Sequence, residues 1–409
     1  MRVMFANPNF RKLFFSNLFN GFGQGMTMIG IAWYLVETTG TAKLLGSTML
    51  FSSILAFLIG PYVGTVIDRF SRKKITQFEQ LGGFAILAIM AAWGFWGSYQ
   101  HWMLILIYLV TNFMYQIHYP TQAALVQETF EKKHYNDINS LLEIQNQTAA
   151  VLSGGFAGLM LGQFGLHLVL VLNALTYLIA FLLMAPMEYV FTVEKQVKQQ
   201  VRTTWWEQFS QSWRYIRGKK GFMVFGMSAL MPFIAIMMIN LLNPVFVNEA
   251  LGGDVKIFSL GEVTYSIGAV GAGLLVAGVI RKFGGFPAMV SNILLMAVAF
   301  VLLVAFPNSW VFVIMSAIMG WCNASTRLIR QGLYMDLLPN HFMGRVMSFL
   351  HSLGTLMRLT LLALFTFMID WTGSEAGYLV LAGLLLLATL GIIVSMRLLM
   401  GQIEPVRED

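Results

Sequence analysis

Twelve stretches of about 20 or more mostly apolar residues follow one another along the chain, and this feature constrains the fold most strongly. Transmembrane β-strands would instead read as alternating segments of about 10 residues, and none of these stretches alternates in that way. We therefore predict an all-α integral membrane protein with 12 transmembrane helices in two six-helix bundles. The predicted spans, one to twelve, are 13–36, 45–67, 76–97, 102–126, 138–161, 167–187, 222–248, 257–280, 287–306, 310–333, 344–369 and 376–399.

The composition excludes the main classes of soluble protein. Hydrophobic residues make up 57% of the 409 residues, charged residues only 11%, and the mean hydropathy is +0.70. A soluble core of this length could not bury so much apolar surface, so lipid is the expected surrounding of most of these side chains. The single cysteine, Cys322, lies in an apolar run and predicts neither an intramolecular disulfide nor a metal cluster.

Lysine and arginine predict the orientation. The net charge of +7 would suggest a nucleic-acid partner in a soluble protein, but here nearly all of the 26 basic residues fall in alternate loops. The opposite loops hold only Lys43 and Lys256. Basic residues favour the cytoplasmic side, so both termini are expected inside, and no nucleic-acid partner is expected.

The chain is expected to divide into an N-terminal bundle at 1–187, a cytoplasmic linker at 188–221, a C-terminal bundle at 222–400 and a tail at 401–409. Within the linker, aromatic residues at helical spacing over 205–217 predict an amphipathic helix on the inner membrane surface. The halves also resemble each other at one constant offset. The aligned residues are Leu125, Glu128, Ile138 and Ser140 with Leu333, Asp336, Val346 and Ser348. Two parallel repeats of six spans are typical of a secondary transporter.

The loop after span two reads Gly64-Thr-Val-Ile-Asp68-Arg69-Phe-Ser-Arg72-Lys73-Lys74. It resembles the signature loop of the major facilitator superfamily, with Ser71 where many members have glycine. The stretch before span eleven, Pro339 to Ser348, contains Gly344-Arg345-Val-Met-Ser and resembles the macrolide-efflux-like branch, the drug:proton antiporter-3 group. Together with the spans, these motifs extend the resemblance over the whole chain.

This resemblance implies a gating role for the inner loops. We expect Gly64 to allow span two to pack closely on a helix of the other half, and Asp68 to accept backbone N–H groups at the start of span three. Basic side chains of the loop can pair with acidic groups on the same face and latch it shut; a positive-inside cluster without a gating role is the alternative. The predicted gating residues are Gly64, Asp68, Arg69, Arg72, Lys73, Glu128, Asp336, Gly344 and Arg345.

Ionisable residues within spans are costly and commonly functional. Arg358 lies near the middle of span eleven, Glu143 five residues into span five, and Glu262 five residues into span eight. The resemblance implies that spans five and eight meet between the halves, so both glutamates are candidate proton carriers. A structural ion pair for Arg358, and contact with water for either glutamate, remain alternatives. His118 in span four is a further candidate carrier or a structural residue.

Polar residues in spans one and seven are candidate cavity groups, because the resemblance implies that these spans line the substrate path. Asn17, Asn20 and Gln24 share one helical face of span one, and Asn240 and Asn243 precede Pro244 in span seven. Their amides could bind a substrate or serve as interhelical hydrogen bonds.

These features favour a non-enzymatic transporter, and the resemblance implies that it lies in a bacterial inner (plasma) membrane. We expect a proton-coupled exporter (antiporter) of amphipathic or cationic small molecules such as drugs or siderophore-like metabolites. The expected partners are a small-molecule substrate and the lipid bilayer, with a monomeric chain. No cofactor is expected, since the proton gradient would supply the energy. The alternative is a facilitator or symporter of an endogenous metabolite, lipid or metal chelate. A membrane enzyme or a receptor is not favoured, because the sequence shows neither a catalytic constellation nor an outer domain.

Overall fold

The computed structural model describes residues 2–190, 214, 216, 218, 219, 221–338 and 340–399. The amphipathic helix expected at 205–217 and most of the linker at 188–221 lie outside the described residues, as does the tail at 401–409. The contacts divide the chain into two compact units. The first unit comprises Met1–Lys198 with Val247–Val263, and the second comprises Gln199–Phe246 with Thr264–Asp409. The domain boundaries taken from the sequence stay predictions.

The described part of the chain is built of α-helices, which we number in chain order. The first six are α1 (Arg2–Ala6), α2 (Pro8–Thr39), α3 (Ala42–Arg69), α4 (Arg72–Trp96), α5 (His101–Thr129) and α6 (Tyr135–Met184), with a short 3₁₀ turn at Lys132–His134. The remaining helices are α7 (Phe222–Val245), α8 (Val255–Phe283), α9 (Gly285–Ala305), α10 (Ser309–Leu337) and α11 (Asn340–Leu399), with a π-helical turn at Phe246–Ala250.

Helix α6 and helix α11 each contain two predicted spans. The backbone leaves the helical conformation at Gly165 (φ 79°, ψ 175°) in α6 and at Gly373 (φ 77°, ψ 165°) in α11. Glycine tolerates this positive φ because it has no Cβ. Both breaks fall in the gaps that the sequence left between spans five and six and between spans eleven and twelve.

Eight helical stretches among the described residues are long and apolar enough to cross a membrane by length and composition. The two longest, Asp137–Met184 and Val346–Leu399, cover two crossings each. The more polar helices α2 and α5 are 32 and 29 residues long, which is also sufficient to span a bilayer. The twelve predicted spans are therefore all helical in the structure.

Exposed tryptophans lie at helix ends. Trp96 ends α4, Trp102 and Trp310 are the second residues of α5 and α10, and Trp371 precedes the break in α11. Trp96 is 86% and Trp371 90% exposed. These ends are all on the side that the sequence assigns to the outside, and tryptophan is enriched at the membrane–water interface. Their exposure therefore fits a bilayer rather than water.

Each unit contains a close contact between two of its own helices. In the first unit, a Cβ on Gly23 of α2 would lie 1.9 Å from Thr176 Oγ1 in the second segment of α6. In the second unit, a Cβ on Gly226 of α7 would lie 2.8 Å from Leu350 in α11. The first helix of each half thus packs on the last pair of spans in the same half, as a six-plus-six repeat requires.

Candidate functional site

A carboxylate, an imidazole and an amide meet in the interior of the first unit. Glu79 from α4, His118 from α5 and Asn20 from α2 are 4%, 7% and 1% exposed. His118 Nδ1 lies 3.1 Å from Glu79 Oε2 and 3.2 Å from Oε1. Asn20 Nδ2 lies 3.1 Å from His118 Nδ1 and 3.4 Å from Glu79 Oε1. We call these three residues the Glu79–His118 cluster.

The geometry of this cluster accommodates a proton in more than one place. When His118 Nδ1 carries a hydrogen it donates to the Glu79 carboxylate, and Asn20 can donate to the same carboxylate. When Nδ1 is bare it can accept from Asn20 or from a protonated Glu79. A carboxylate–imidazole pair away from bulk water can therefore hold and release a proton without leaving either group unpartnered.

Further polar groups surround the cluster. Gln80, next to Glu79, donates to Ser16 Oγ at 3.1 Å, and Ser16 in turn donates to the carbonyl oxygen of Ala180 at 2.9 Å. Several fully buried groups have no hydrogen-bond partner among the described residues, and such groups commonly bind water. In the first unit these include both amide atoms of Asn17 and Gln145, Asn20 Oδ1 and the Tyr177 hydroxyl.

The amides that the sequence placed in a cavity serve largely as interhelical bonds here. Asn20 belongs to the Glu79–His118 cluster, and Gln24 Nε2 donates to the carbonyl oxygen of Thr111 at 2.9 Å. Asn17 is buried, and Asn240 is exposed. In the second unit, Asn243 Oδ1 accepts from the hydroxyl of Tyr378 at 2.6 Å. Their contact with a substrate stays a prediction.

The other predicted carriers lie in more accessible places. Glu143 is exposed and accepts from Gln147 Nε2 at 3.0 Å, while Glu262 and Arg358 are half-buried. In the first unit, Gly154 of α6 packs against the backbone at Glu262, where a Cβ on Gly154 would lie 3.5 Å from the Glu262 carbonyl carbon. The helix that carries Glu143 thus approaches the chain closely at Glu262. The proton-carrying roles of Glu143, Glu262 and Arg358 stay predictions.

The signature loop forms an ion pair within the first unit. Arg72 Nη1 lies 2.6 Å from Glu128 Oε1, and the two side chains are 13% and 15% exposed. The hydroxyl of Tyr189 donates to the other carboxylate oxygen of Glu128. Burial, and then the neighbouring Glu128, raise the pKa of Tyr189 to about 12, so the hydroxyl stays protonated at neutral pH.

Lys73 binds backbone instead of a carboxylate. Its Nζ donates to the carbonyl oxygens of Ala185 at 2.9 Å and Met187 at 2.8 Å. These carbonyls follow the end of α6, where a lysine offsets the negative end of the helix dipole. The expected pairing of Lys73 with an acidic group is therefore wrong in this conformation.

One expectation about the same loop is corrected. Ser71, not Asp68, caps α4, since its Oγ accepts from the backbone N–H of Lys74 at 3.4 Å. Asp68 and Arg69 are exposed in the last turn of α3. A Cβ on Gly64 would meet no described heavy atom within 4 Å, and the close packing expected there against the other half stays a prediction.

The structure shows no contacts that would support a gating role for the remaining predicted gating residues among those it describes. Asp336 is exposed near the end of α10. Gly344 and Arg345 lie in the first turns of α11, but their side-chain surroundings fall outside what the structure describes. The gating role of the inner loops stays a prediction.

Sequence reasoning missed Glu79. It is the fourth residue of the predicted third span, a position that predicts a side chain at the level of the lipid headgroups. A signal was available, because the acidic Glu79 lies within a predicted span that follows a complete basic loop. Helical spacing alone could not show that Glu79 faces His118.

The sequence model described as Major Facilitator Superfamily matches residues 13–241 and, in a second match, 227–408. The chain belongs to the Major Facilitator Superfamily. Macrolide efflux protein A of Streptococcus pyogenes is 21% identical over 347 residues, which cover 82% of this chain and 84% of that protein. A Na(+), Li(+), K(+)/H(+) antiporter of Planococcus maritimus is 21% identical over 306 residues, covering 71% and 67%.

Among solved structures, the nucleoside transporter NupG aligns with a TM-score of 0.73 and 14% identity, covering 95% of this chain and 100% of that one. This likeness confirms the twelve-helix transporter fold. Because a family of membrane transporters accounts for both halves of the chain, the protein is a multi-pass membrane transporter and not an enzyme.

Proposed function

We propose that this transporter is a proton-coupled exporter of amphipathic, cationic small molecules that works by alternating access. The observation that carries the proposal is the buried Glu79–His118 cluster. A carboxylate inside a membrane bundle requires a partner, and an imidazole partner can both donate and accept a proton there.

The relatives support the direction of this proposal. A macrolide efflux protein and a cation/proton antiporter both resemble most of this chain. The substrates in their names are not assigned to this protein. The basic residues concentrated in alternate loops favour a cytoplasmic location for both termini, in a bacterial plasma membrane. Export would then use protons that enter as the cargo leaves.

Alternating access would act on the Glu79–His118 cluster by changing its contact with water. While the cluster is dry, one added proton held by the Glu79–His118 pair leaves the pair with no net charge. When water reaches the cluster, the proton can leave. The partnerless amides of Asn17 and Gln145 mark polar surroundings through which water could approach it.

Proteoliposomes with an imposed pH gradient test the proposal. An acidic lumen should drive uptake of ethidium, an aromatic cation, because luminal protons leave as ethidium enters. Glu79→Gln and His118→Asn should each abolish this driven uptake and spare exchange of ethidium across a membrane without a gradient. Glu131→Gln is the matched control, because Glu131 is an exposed loop glutamate paired with Lys133.

Two results would contradict the proposal. Uptake driven by an alkaline lumen would indicate a symporter, which is the alternative reading of the sequence. Undiminished driven uptake in both the Glu79→Gln and the His118→Asn variant would remove the cluster from proton coupling.

A further inference from the structure

A cavity of about 210 Å³ lies between α3 and α5 in the first unit, and the Glu79–His118 cluster does not account for it. Gly60 and Gly64 line it from α3, and Phe113, Gln116 and Pro120 line it from α5. A Cβ on either glycine would meet no described heavy atom within 4 Å. The two glycines therefore keep a wall of the cavity open, and we call this space the α3–α5 pocket.

One end of the α3–α5 pocket presents hydrogen-bond acceptors. Pro120 has no backbone N–H, so the carbonyl oxygen of Gln116, four residues earlier in α5, loses its normal helical donor. The side chain of Gln116 donates through Nε2 to Asn112 Oδ1 at 2.6 Å, which leaves its Oε1 as an acceptor. A ligand that meets Gln116 here should bring N–H donors.

Two tyrosines lie on the face of α5 next to the one that lines the pocket, since Tyr119 is one helical turn from Gln116. Tyr115 and Tyr119 are 46% and 41% exposed, and their rings pack edge to face with centroids 4.8 Å apart. Tyr115 lies halfway along the 29-residue helix, at a depth where hydrocarbon would offer its hydroxyl no partner. Aromatic faces beside backbone and amide oxygens favour an organic cation.

We propose that the α3–α5 pocket and the tyrosine pair form a cargo subsite for an aromatic cation that carries N–H donors. The apolar ring enters the pocket between Gly64 and Phe113, and the N–H groups meet the two oxygens of Gln116. The volume is below the roughly 300 Å³ of a pocket for a whole drug-sized ligand, so it takes one ring or branched group. This subsite rests on the proposed export function and names the cargo chemistry.

The subsite also lies beside the Glu79–His118 cluster. Tyr119 follows His118 directly in α5, but Tyr119 is exposed whereas His118 faces the buried side of the same helix. The two ring centroids are 6.3 Å apart. Cargo that shifts Tyr119 can thus influence the Glu79–His118 cluster through a single helix turn, which Pro120 weakens.

Ethidium binding to the purified, full-length transporter tests the subsite by fluorescence anisotropy. Gly64→Leu should weaken binding about 10- to 100-fold, because the new side chain occupies the space that one buried aromatic ring would fill. Gly278→Leu is the matched control: it also lies on an exposed helical face with no described heavy atom within 4 Å of its Cβ position, but in the second unit. The Gly278→Leu variant should bind ethidium with the affinity of the wild type.

A second variant keeps the test independent of the folding of Gly64→Leu. Gln116→Met retains the length of the side chain and removes its acceptor, so ethidium affinity should fall about 10-fold, the value of one hydrogen bond to a charged group. The phospholipid that co-purifies with each variant is counted in the same samples.

The outcomes are separable. Unchanged ethidium affinity in Gly64→Leu and Gln116→Met, or no saturable binding by the wild type, overturns the subsite. Lower phospholipid content with unchanged ethidium affinity in Gly64→Leu overturns it too, because the pocket would then hold a lipid chain. Glu79→Gln should still bind ethidium, so a failure of proton coupling in that variant leaves this binding result standing.

Discussion

Removing one member of the Glu79–His118 cluster should lower the free energy of unfolding by far more than the contribution of one hydrogen bond. In His118→Ala, the Glu79 carboxylate keeps only the long 3.4 Å contact with Asn20 Nδ2 among its described hydrogen bonds. Breaking a buried ionic pair by removing one partner costs about 3–5 kcal/mol, because the remaining charge stays buried. In a unit of about 200 residues each kcal/mol corresponds to about 2–4 °C, so the melting temperature should fall by at least about 6 °C.

The double variant gives the sharper result. Glu79→Gln removes the charge and should cost only about 1–3 kcal/mol. Combined with His118→Ala, it should recover part of the lost stability, because no buried charge remains. The assay is thermal unfolding in detergent, followed by tryptophan fluorescence, with His101→Ala as an exposed histidine control.

Additive losses in the double variant would refute this reasoning. So would a loss in His118→Ala no larger than that in His101→Ala. Either result would mean that Glu79 carries no charge that His118 stabilises, and the cluster would then be an ordinary hydrogen-bonded contact.

Three further predictions concern stability, each measured by the same melting assay. Arg72→Glu and Glu128→Arg should each cost about 1–2 kcal/mol, as expected for a partly buried ion pair, and their combination should recover much of that loss; additive losses would contradict the pairing. Gly320→Ala should cost about 3 kcal/mol because its Cβ would lie 1.9 Å from a backbone carbonyl oxygen of α8, whereas Gly332→Ala in the same helix should be neutral or stabilising; equal effects would contradict the packing. The stability contributed by Tyr189 should be constant below its ordinary pKa of 10.0 and be lost as the pH rises to about 12, so a pH-dependent difference from Tyr189→Phe between pH 6 and 9 would contradict the assignment.

The spans could be predicted because lipid imposes a simple rule on the sequence. About 20 apolar residues are needed for each crossing, and the breaks at Gly165 and Gly373 fall where the apolar runs are interrupted. An ion pair such as Arg72–Glu128 could also be predicted from the sequence, since the topology places both loop ends on one side of the membrane.

The candidate site required the structure, because it depends on which helix faces meet. His118 was recognised as a possible proton carrier from its chemistry, but its partner Glu79 lies on another helix in a position that resembles a membrane boundary. Gly64 shows the same dependence on the surrounding structure. A glycine in a span is compatible with close packing or with an open pocket, and only the surrounding atoms distinguish the two.

Proton release on cargo binding tests the central claim most directly. The purified transporter in weakly buffered detergent solution is mixed with ethidium, and a pH-sensitive dye follows the protons released. The account predicts release from the wild type and from Glu131→Gln, and none from Glu79→Gln, although all three bind ethidium. Equal proton release from Glu79→Gln and the wild type would contradict it.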